Sequence, residues 1–220
     1  MQNALLNMFP QAEQEKIAAA VREAEKVTSG EIVPYVVGQS DHYETAEWRG
    51  GFLGGFIAFV AMTFLRNAAG DWTRFDPAGI AAATLLAGGG AMLAIRFLPG
   101  LKRLFAGSHL ITRRVEQRAA EAFISEEEFA TERRTGILIF LSMMERKVLV
   151  IGDSGIHSKV AQNDWQDTIN LVVEAIRAGK PADGLVEAIR RCGTLLANHG
   201  VERSAEDRDE LSDNLRVRKE

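Results

Sequence analysis

Residues 153–158 read DSGIHS, so a carboxylate, two hydroxyls and an imidazole fall within one short stretch. A hydrolytic Ser-His-Asp triad is the first chemistry those groups suggest. Such a triad draws its nucleophile and base from separate elements, whereas Ser154 and His157 are near neighbours and no G-x-S-x-G turn carries the serine. Metal-assisted phosphoryl chemistry fits better. Asp153 follows a run of β-formers and sits in the glycine loop Gly152, Asp153, Ser154, Gly155, where a carboxylate can reach a metal or a phosphate-bound water. Glu31, at an earlier helix–strand junction, and Arg146, able to steady an anionic substrate, are the other catalytic candidates. Asp153 alone has the setting of a metal ligand, and magnesium or calcium sites need several oxygens. No cofactor is expected from the residues themselves; Mg²⁺ or Ca²⁺ enters only with phosphatase chemistry. The competing roles are a turn residue for Asp153 and surface charges for Glu31 and Arg146. His42, His109, His157 and His199 lack ligand spacing, and SEEEF (Ser125 to Phe129) reads as a solvated acidic run.

The elements that must hold these groups are interrupted by a different material. Hydrophobic residues make up 46% of the 220-residue chain and charged ones 25%, the proportions of an ordinary folded protein. A formal net charge of −4 leaves no basic surplus for phosphate backbones, which argues against nucleic acid as a partner. The single cysteine, Cys192, excludes an internal disulfide and fits a reducing compartment. The N-terminal MQNALLNMFPQAEQEK has neither the basic start nor the apolar stretch of a secretory signal. By contrast, GGFLGGFIAFVAMTFL (50–65) and AGIAAATLLAGGGAMLAI (78–95) carry no charge and are separated by a polar connector. Each is near the lower limit of about 17 residues for a spanning helix, and Trp48 and Trp72 flank the first as interfacial anchors would.

Gly51 and Gly55, Gly54 and Ala58, and Gly79, Ala83 and Ala87 recur four apart, and small residues at that spacing let helices approach closely in lipid. The expectation is a transmembrane helical hairpin over 48–98, set in the lipid bilayer and packing on itself, on copies or on a membrane-protein partner. Arg49, Arg96, Lys102, Arg103 and Arg113 flank the spans, while the connector is charge-balanced. That bias places both termini in the cytoplasm of a multi-pass protein of the cell (inner) membrane.

On either side lie two pieces of one domain, 10–38 and 108–200. Pro10 can start a helix that buries Ile17, Val21 and Ala24 and stops at Gly30. EIVPYVV (Glu31 to Val37) reads as a strand in which Pro34 suggests an edge or a bulge. After the hairpin, LITRRVEQRAAEAFI places Val115, Ala119 and Phe123 on one helical face, and GILIFLS (Gly136 to Ser142) and KVLVI (Lys147 to Ile151) form a β-hairpin around MMER. Asn163 is the expected cap of a helix with a Trp165, Ile169, Val172, Ile176 stripe that ends at Gly179. Pro181 starts the last helix, with Leu185, Ile189, Cys192 and Leu196 inward and Gly200 at its end. In DSGIHS, Gly152 and Gly155 are expected to supply unusual backbone angles and Ile156 to turn inward. Residues 201–220 are charged and expected to be a flexible tail. A lone strand before the hairpin must pair with the later ones. The fold class is therefore α/β: a small mixed sheet with helices on both faces, an α/β/α sandwich interrupted by the hairpin.

With those elements placed, TSGEI (Thr28 to Ile32), ERRTGILIFLSMMERKVLVIGDSGI (Glu132 to Ile156) and AGKPADGLVEAI (Ala178 to Ile189) resemble the TPM domain family, in a bacterial branch where a two-helix membrane hairpin interrupts the domain. The resemblance runs from Pro10 to Gly200 and implies an α/β/α sandwich. A plant chloroplast member is associated with acid phosphatase activity and photosystem repair; others are accessory or assembly proteins of membrane complexes. The family's more usual glycine–tyrosine–glycine loop is replaced here by Gly152, Asp153, Ser154 and Gly155, and no catalytic or calcium-site residue carries over. The expected function is protein contact in the assembly, maintenance or quality control of membrane complexes. A membrane-bound metal-dependent phosphatase is the alternative.

Overall fold

A computed structural model of the chain describes residues 5, 7–68, 76–125, 131, 134–201, 203 and 211–218. Most of the connector, Trp72 included, and the acidic run beyond Ser125 lie outside them. In chain order the elements are α1 (Gln11–Glu25), β1 (Glu31–Val37), α2 (Glu44–Ala68), α3 (Pro77–Phe97), α4 (Pro99–Ala106), α5 (Ser108–Ser125), β2 (Gly136–Ser142), β3 (Lys147–Gly152), the single turn α6 (Ser154–His157), a 3-10 turn (Gln162–Trp165), α7 (Gln166–Arg177), α8 (Pro181–Asn198) and β4 (Arg216–Arg218). They fall into two units, Met1–Asp41 with Arg114–Glu220, and His42–Arg113.

The first unit is built on a mixed sheet of order β3-β2-β1-β4. β1 and β2 run parallel, in register from Glu31↔Gly136 to Val37↔Ser142, and β2 and β3 are antiparallel. The loose tail expected from the sequence is corrected at its end, where Arg216, Val217 and Arg218 pair in parallel with Tyr35, Val36 and Val37. A three-residue strand amid charges has no periodicity of its own; the open edge of β1 creates it. Leu215 is buried beside it, and Asp213 lies 3.4 Å from Arg22 of α1. The same register explains Pro34. Alternate residues of a parallel strand bond to opposite neighbours. Glu31 donates to Thr135 on the β2 side, while Ile32 donates the other way, to Glu25 Oε1 at 2.9 Å. Pro34 shares the Ile32 side one residue before β4 begins, so its missing N–H leaves no rung unmade.

One face of the sheet, with Ile32, Val36, Ile137, Ile139 and Val150, packs into a core with α1, α7 and α8. Leu185, Ile189, Cys192 and Leu196 are all fully buried there. α8 and α1 approach so closely that a Cβ on Gly193 would lie 2.8 Å from that of Ala24. The opposite face (Val33, Tyr35, Val37, Leu138, Phe140) is equally buried, and α5 turns Val115, Ala119 and Ala122 inward. The start of α7 differs from the sequence reading. Asp164, not Asn163, makes the capping contact: its Oδ2 accepts the Ala161 N–H at 3.0 Å, and the 3-10 turn leads into α7.

Burial pushes the Cys192 thiol up from 9.0 to about 12. The thiolate is the reactive form, so folded protein should leave DTNB unconsumed at about pH 8 and react promptly once unfolded in urea. Because the folded value is the higher one, the thiol's contribution to stability is complete below about 9 and is lost as pH rises toward about 12. Cys192→Ala should flatten that part of the alkaline unfolding curve.

In the second unit α2 and α3 form an antiparallel hairpin, and both are long and apolar enough to cross a membrane. At 1.5 Å per residue, their uncharged runs extend about 24 and 27 Å, just under the ~30 Å of a hydrocarbon core. Glycine lets the two backbones meet. A Cβ on Gly51 would lie 3.3 Å from Gly88 O, on Gly54 2.7 Å from Ala91 Cβ, on Gly55 3.3 Å from Thr84 O, and on Gly88 3.0 Å from Gly51 O. The ridge on α3 is thus Thr84, Gly88, Ala91 and Met92. Ala87 offers its carbonyl to the Gly54 contact, and Ala58 and Ala83 are half-buried. Gly79 instead sits beside the helix cap, donating its N–H to Asp76 Oδ1 at 2.8 Å. Outward, Phe52, Phe56, Phe64, Leu85 and Leu86 are exposed. At the base, buried Glu47 pairs with Lys102 at 3.2 Å, with Arg96 at 4.0 Å, and Lys102 also donates to the His42 carbonyl.

Candidate functional site

Asp153 leaves β3 with extended backbone and caps α6. Its Oδ1 accepts the Ser154 N–H at 2.6 Å, and its carbonyl takes the N–H groups of Ile156 and His157 at 3.0 and 2.9 Å. Ser154 therefore meets Asp153 through its amide and not its hydroxyl, which is the bond of a cap and not of a triad. His157 is exposed. Ile156 is 1% exposed, and it explains Gly152: a Cβ there would come within 2.8 Å of Ile156 Cγ2. The unusual backbone angles expected at Gly152 and Gly155 are corrected, because the glycines with positive φ among the described residues are Gly107, Gly179 and Gly200.

The second oxygen of Asp153 is held by Arg134, whose Nε lies 3.1 Å from Oδ2. Arg134 also occupies the left-handed region at φ 56°, uncommon for a side chain of its size, and its carbonyl accepts the Gly155 N–H at 3.0 Å. Backbone and side chain together clamp the loop before β2 onto the loop after β3. The arginine side chain is 63% exposed, so water screens the pair and its net contribution to stability is small.

Glu31 shares this corner. It pairs with Gly136, and Asp153 continues the β3 register on the other side of Gly136, to whose carbonyl it donates at 2.9 Å. Two strand spacings separate the α-carbons of Glu31 and Asp153 by about 10 Å, on one face, with bare Gly136 between. Buried hydroxyls bind this end of the sheet together. Thr135 Oγ1 donates to Ser29 O at 2.8 Å, Thr131 Oγ1 accepts the Thr135 N–H at 3.0 Å, and Thr28 Oγ1 donates to Val201 O at 2.5 Å. Arg146 is not part of it. It sits exposed in the turn at the far end of the β2–β3 hairpin, at φ 54° and about 20 Å along β2. The arginine beside Asp153 is Arg134.

At that far end the structure adds a second polar cluster that the sequence reading missed. Glu145 Oε1 accepts the Ser40 N–H at 2.8 Å and Oε2 accepts Ser142 Oγ–H at 2.5 Å, while the Ser40 and Ser142 hydroxyls lie 2.7 Å apart. A glutamate three residues after a strand-ending serine was the available signal. Of the histidines, His199 Nε2 lies 3.8 Å from Asp164 Oδ2, away from both clusters in sequence and role.

Chemically, both carboxylate oxygens of Asp153 already accept donors from the protein. Among the described residues no three of His, Cys, Asp and Glu converge as a ligand set. A magnesium or calcium ion takes six or more oxygens, or one to two carboxylates plus bound phosphate, and the described residues offer Glu31 and Asp153 on one face. The arrangement positions backbone: it ties β1, β2, β3 and α6 at one corner.

The TPM domain model matches residues 108–195. No curated protein matches the sequence. Among solved structures, the BA42 protein of the psychrophilic bacterium Bizionia argentinensis superposes with a TM-score of 0.56 at 20% identity, over 94% of this chain and 92% of that one. At that identity the likeness is one of fold.

Proposed function

For a chain that carries a TPM domain, we propose the role of a membrane-anchored interaction module, acting through protein contacts in the assembly, maintenance or quality control of membrane complexes. One observation carries this reading: a hairpin of two spanning-length helices is spliced between β1 and β2 of a single sheet. Neither half of that sheet is complete without the other, so the domain stays at the bilayer surface wherever the hairpin is inserted. The hairpin holds the bilayer of the cell (inner) membrane, with the domain and both termini in the cytoplasm. Basic Arg49, Arg96 and Lys102 at its base support that orientation. Its partner is another membrane protein or a second copy.

Crosslinking in native membranes should recover self-contacts or one recurrent membrane partner, and repeated recovery of neither would end the interaction reading. Alkaline phosphatase fused after Glu220 should be inactive; an active fusion reverses the orientation. A second reading, phosphate-ester hydrolysis, is favoured by Glu31 and Asp153 sharing one face across Gly136. Protein in detergent with phosphate esters and Mg²⁺ or Ca²⁺ should show no turnover that Asp153→Ala removes. Turnover lost in that variant would establish the hydrolase instead.

A further inference from the structure

The glycines that join α2 to α3 leave a channel along one side of the seam, a cavity of about 520 Å³. Gly51, Gly55, Gly88 and Gly89 form its floor, and Phe52, Phe56, Leu85 and Met92 are among its walls. A Cβ on Gly89 would meet nothing within 4 Å, so the floor is open there. Thr84 brings the one hydroxyl, which is already donated to Ile80 O at 2.9 Å. Resting on the spanning reading above, we propose that this groove holds one acyl chain of an anionic phospholipid, with the headgroup phosphate on Arg96.

Charge chooses that occupant. From Trp48 to Phe59 the groove runs about 17 Å, and at Phe59, Thr84 and Leu85 it meets a second cavity of about 680 Å³ that reaches Arg66 and Pro77. At the base, the α3 wall of Leu85, Gly89 and Met92 continues at helical spacing into Arg96, whose side chain is 64% exposed. Glu47, the carboxylate nearby, is answered by Lys102 at 3.2 Å, and Arg96 at 4.0 Å makes two cations for one anion. The surplus positive charge lies where a phosphate would sit. Trp48 stands exposed at the same level, the depth at which tryptophan anchors in an interface.

The test reconstitutes the full chain in phosphatidylcholine vesicles with a trace of acyl-diazirine phosphatidylglycerol or, separately, acyl-diazirine phosphatidylcholine. The anionic probe should label the Phe52–Phe59 and Gly88–Met92 segments about fivefold more than the neutral one, the effect of one basic residue at a membrane surface. Arg96→Gln should bring the two probes to parity, and Gly89→Leu should remove the local labelling by both. Equal labelling by both probes in the unaltered chain overturns the lipid site. So does protection from both probes together with a copy-to-copy disulfide through Phe56→Cys, which would make a second copy the occupant. Extraction of the chain by alkaline carbonate overturns the spanning reading and the site with it, whereas a retained chain with uniform labelling overturns the site alone.

Discussion

Replacing Trp165 with alanine should cost the sheet-bearing unit about 3–5 kcal/mol, the range for emptying a buried aromatic site. The indole is 2% exposed and heads the fully buried side chains by size among the described residues. It closes the 3-10 turn that feeds α7 and belongs to the core shared with Ile156, Val160 and Val172. Its removal therefore opens a cavity where the chain from β3 and α6 is pinned to the helical layer. Thermal unfolding of the full chain in detergent should show a midpoint lowered by roughly 10 °C. Trp165→Phe should recover most of that loss. A midpoint within about 2 °C of the unaltered protein would mean that the turn does not carry the core as described.

The second large effect belongs to the hairpin. Gly88→Leu should destabilise it by about 1–3 kcal/mol, the usual cost of overpacking. The contacts a side chain would make there are with backbone: 3.0 Å to Gly51 O and 3.6 Å to Gly55 Cα. Backbone cannot rotate aside, so α2 and α3 must separate, and every glycine contact along the seam loosens. Gly90→Leu is the matched control, because a Cβ there meets nothing within 4 Å. Thermal aggregation in micelles should fall sharply in midpoint for the first variant and little for the second. Equal behaviour of the two would contradict the seam.

Much of this architecture was written in local pattern. Glu31–Val37 and Gly136–Ser142 are dense in β-branched and apolar residues because both faces of those strands are buried, and that density is visible without a fold. The α8 stripe of Leu185, Ile189, Cys192 and Leu196 was legible for the same reason at a different period. β4 was not, since Arg216–Arg218 becomes a strand only by lying against β1. Asn163 looked like a cap by spacing, yet a preceding turn handed that role to Asp164. The corner around Asp153 was half legible: the loop and its acid stood out, but Arg134 lies upstream, and only the β2–β3 register brings it alongside. Arg146 lies at the other end of the same hairpin.

The strand order has a consequence for the order of events during synthesis. β1 is an inner strand of the finished sheet, yet Gly136 of its first neighbour follows Val37 by 99 residues. At about 5–20 residues per second, β1 leaves the ribosome some 5–20 s before β2 can pair with it. During that interval the whole of His42–Arg113 is made, while β1 waits with its apolar faces unpaired. Sheet closure is therefore the later event, and a folded first unit records that the intervening hairpin has already been synthesised.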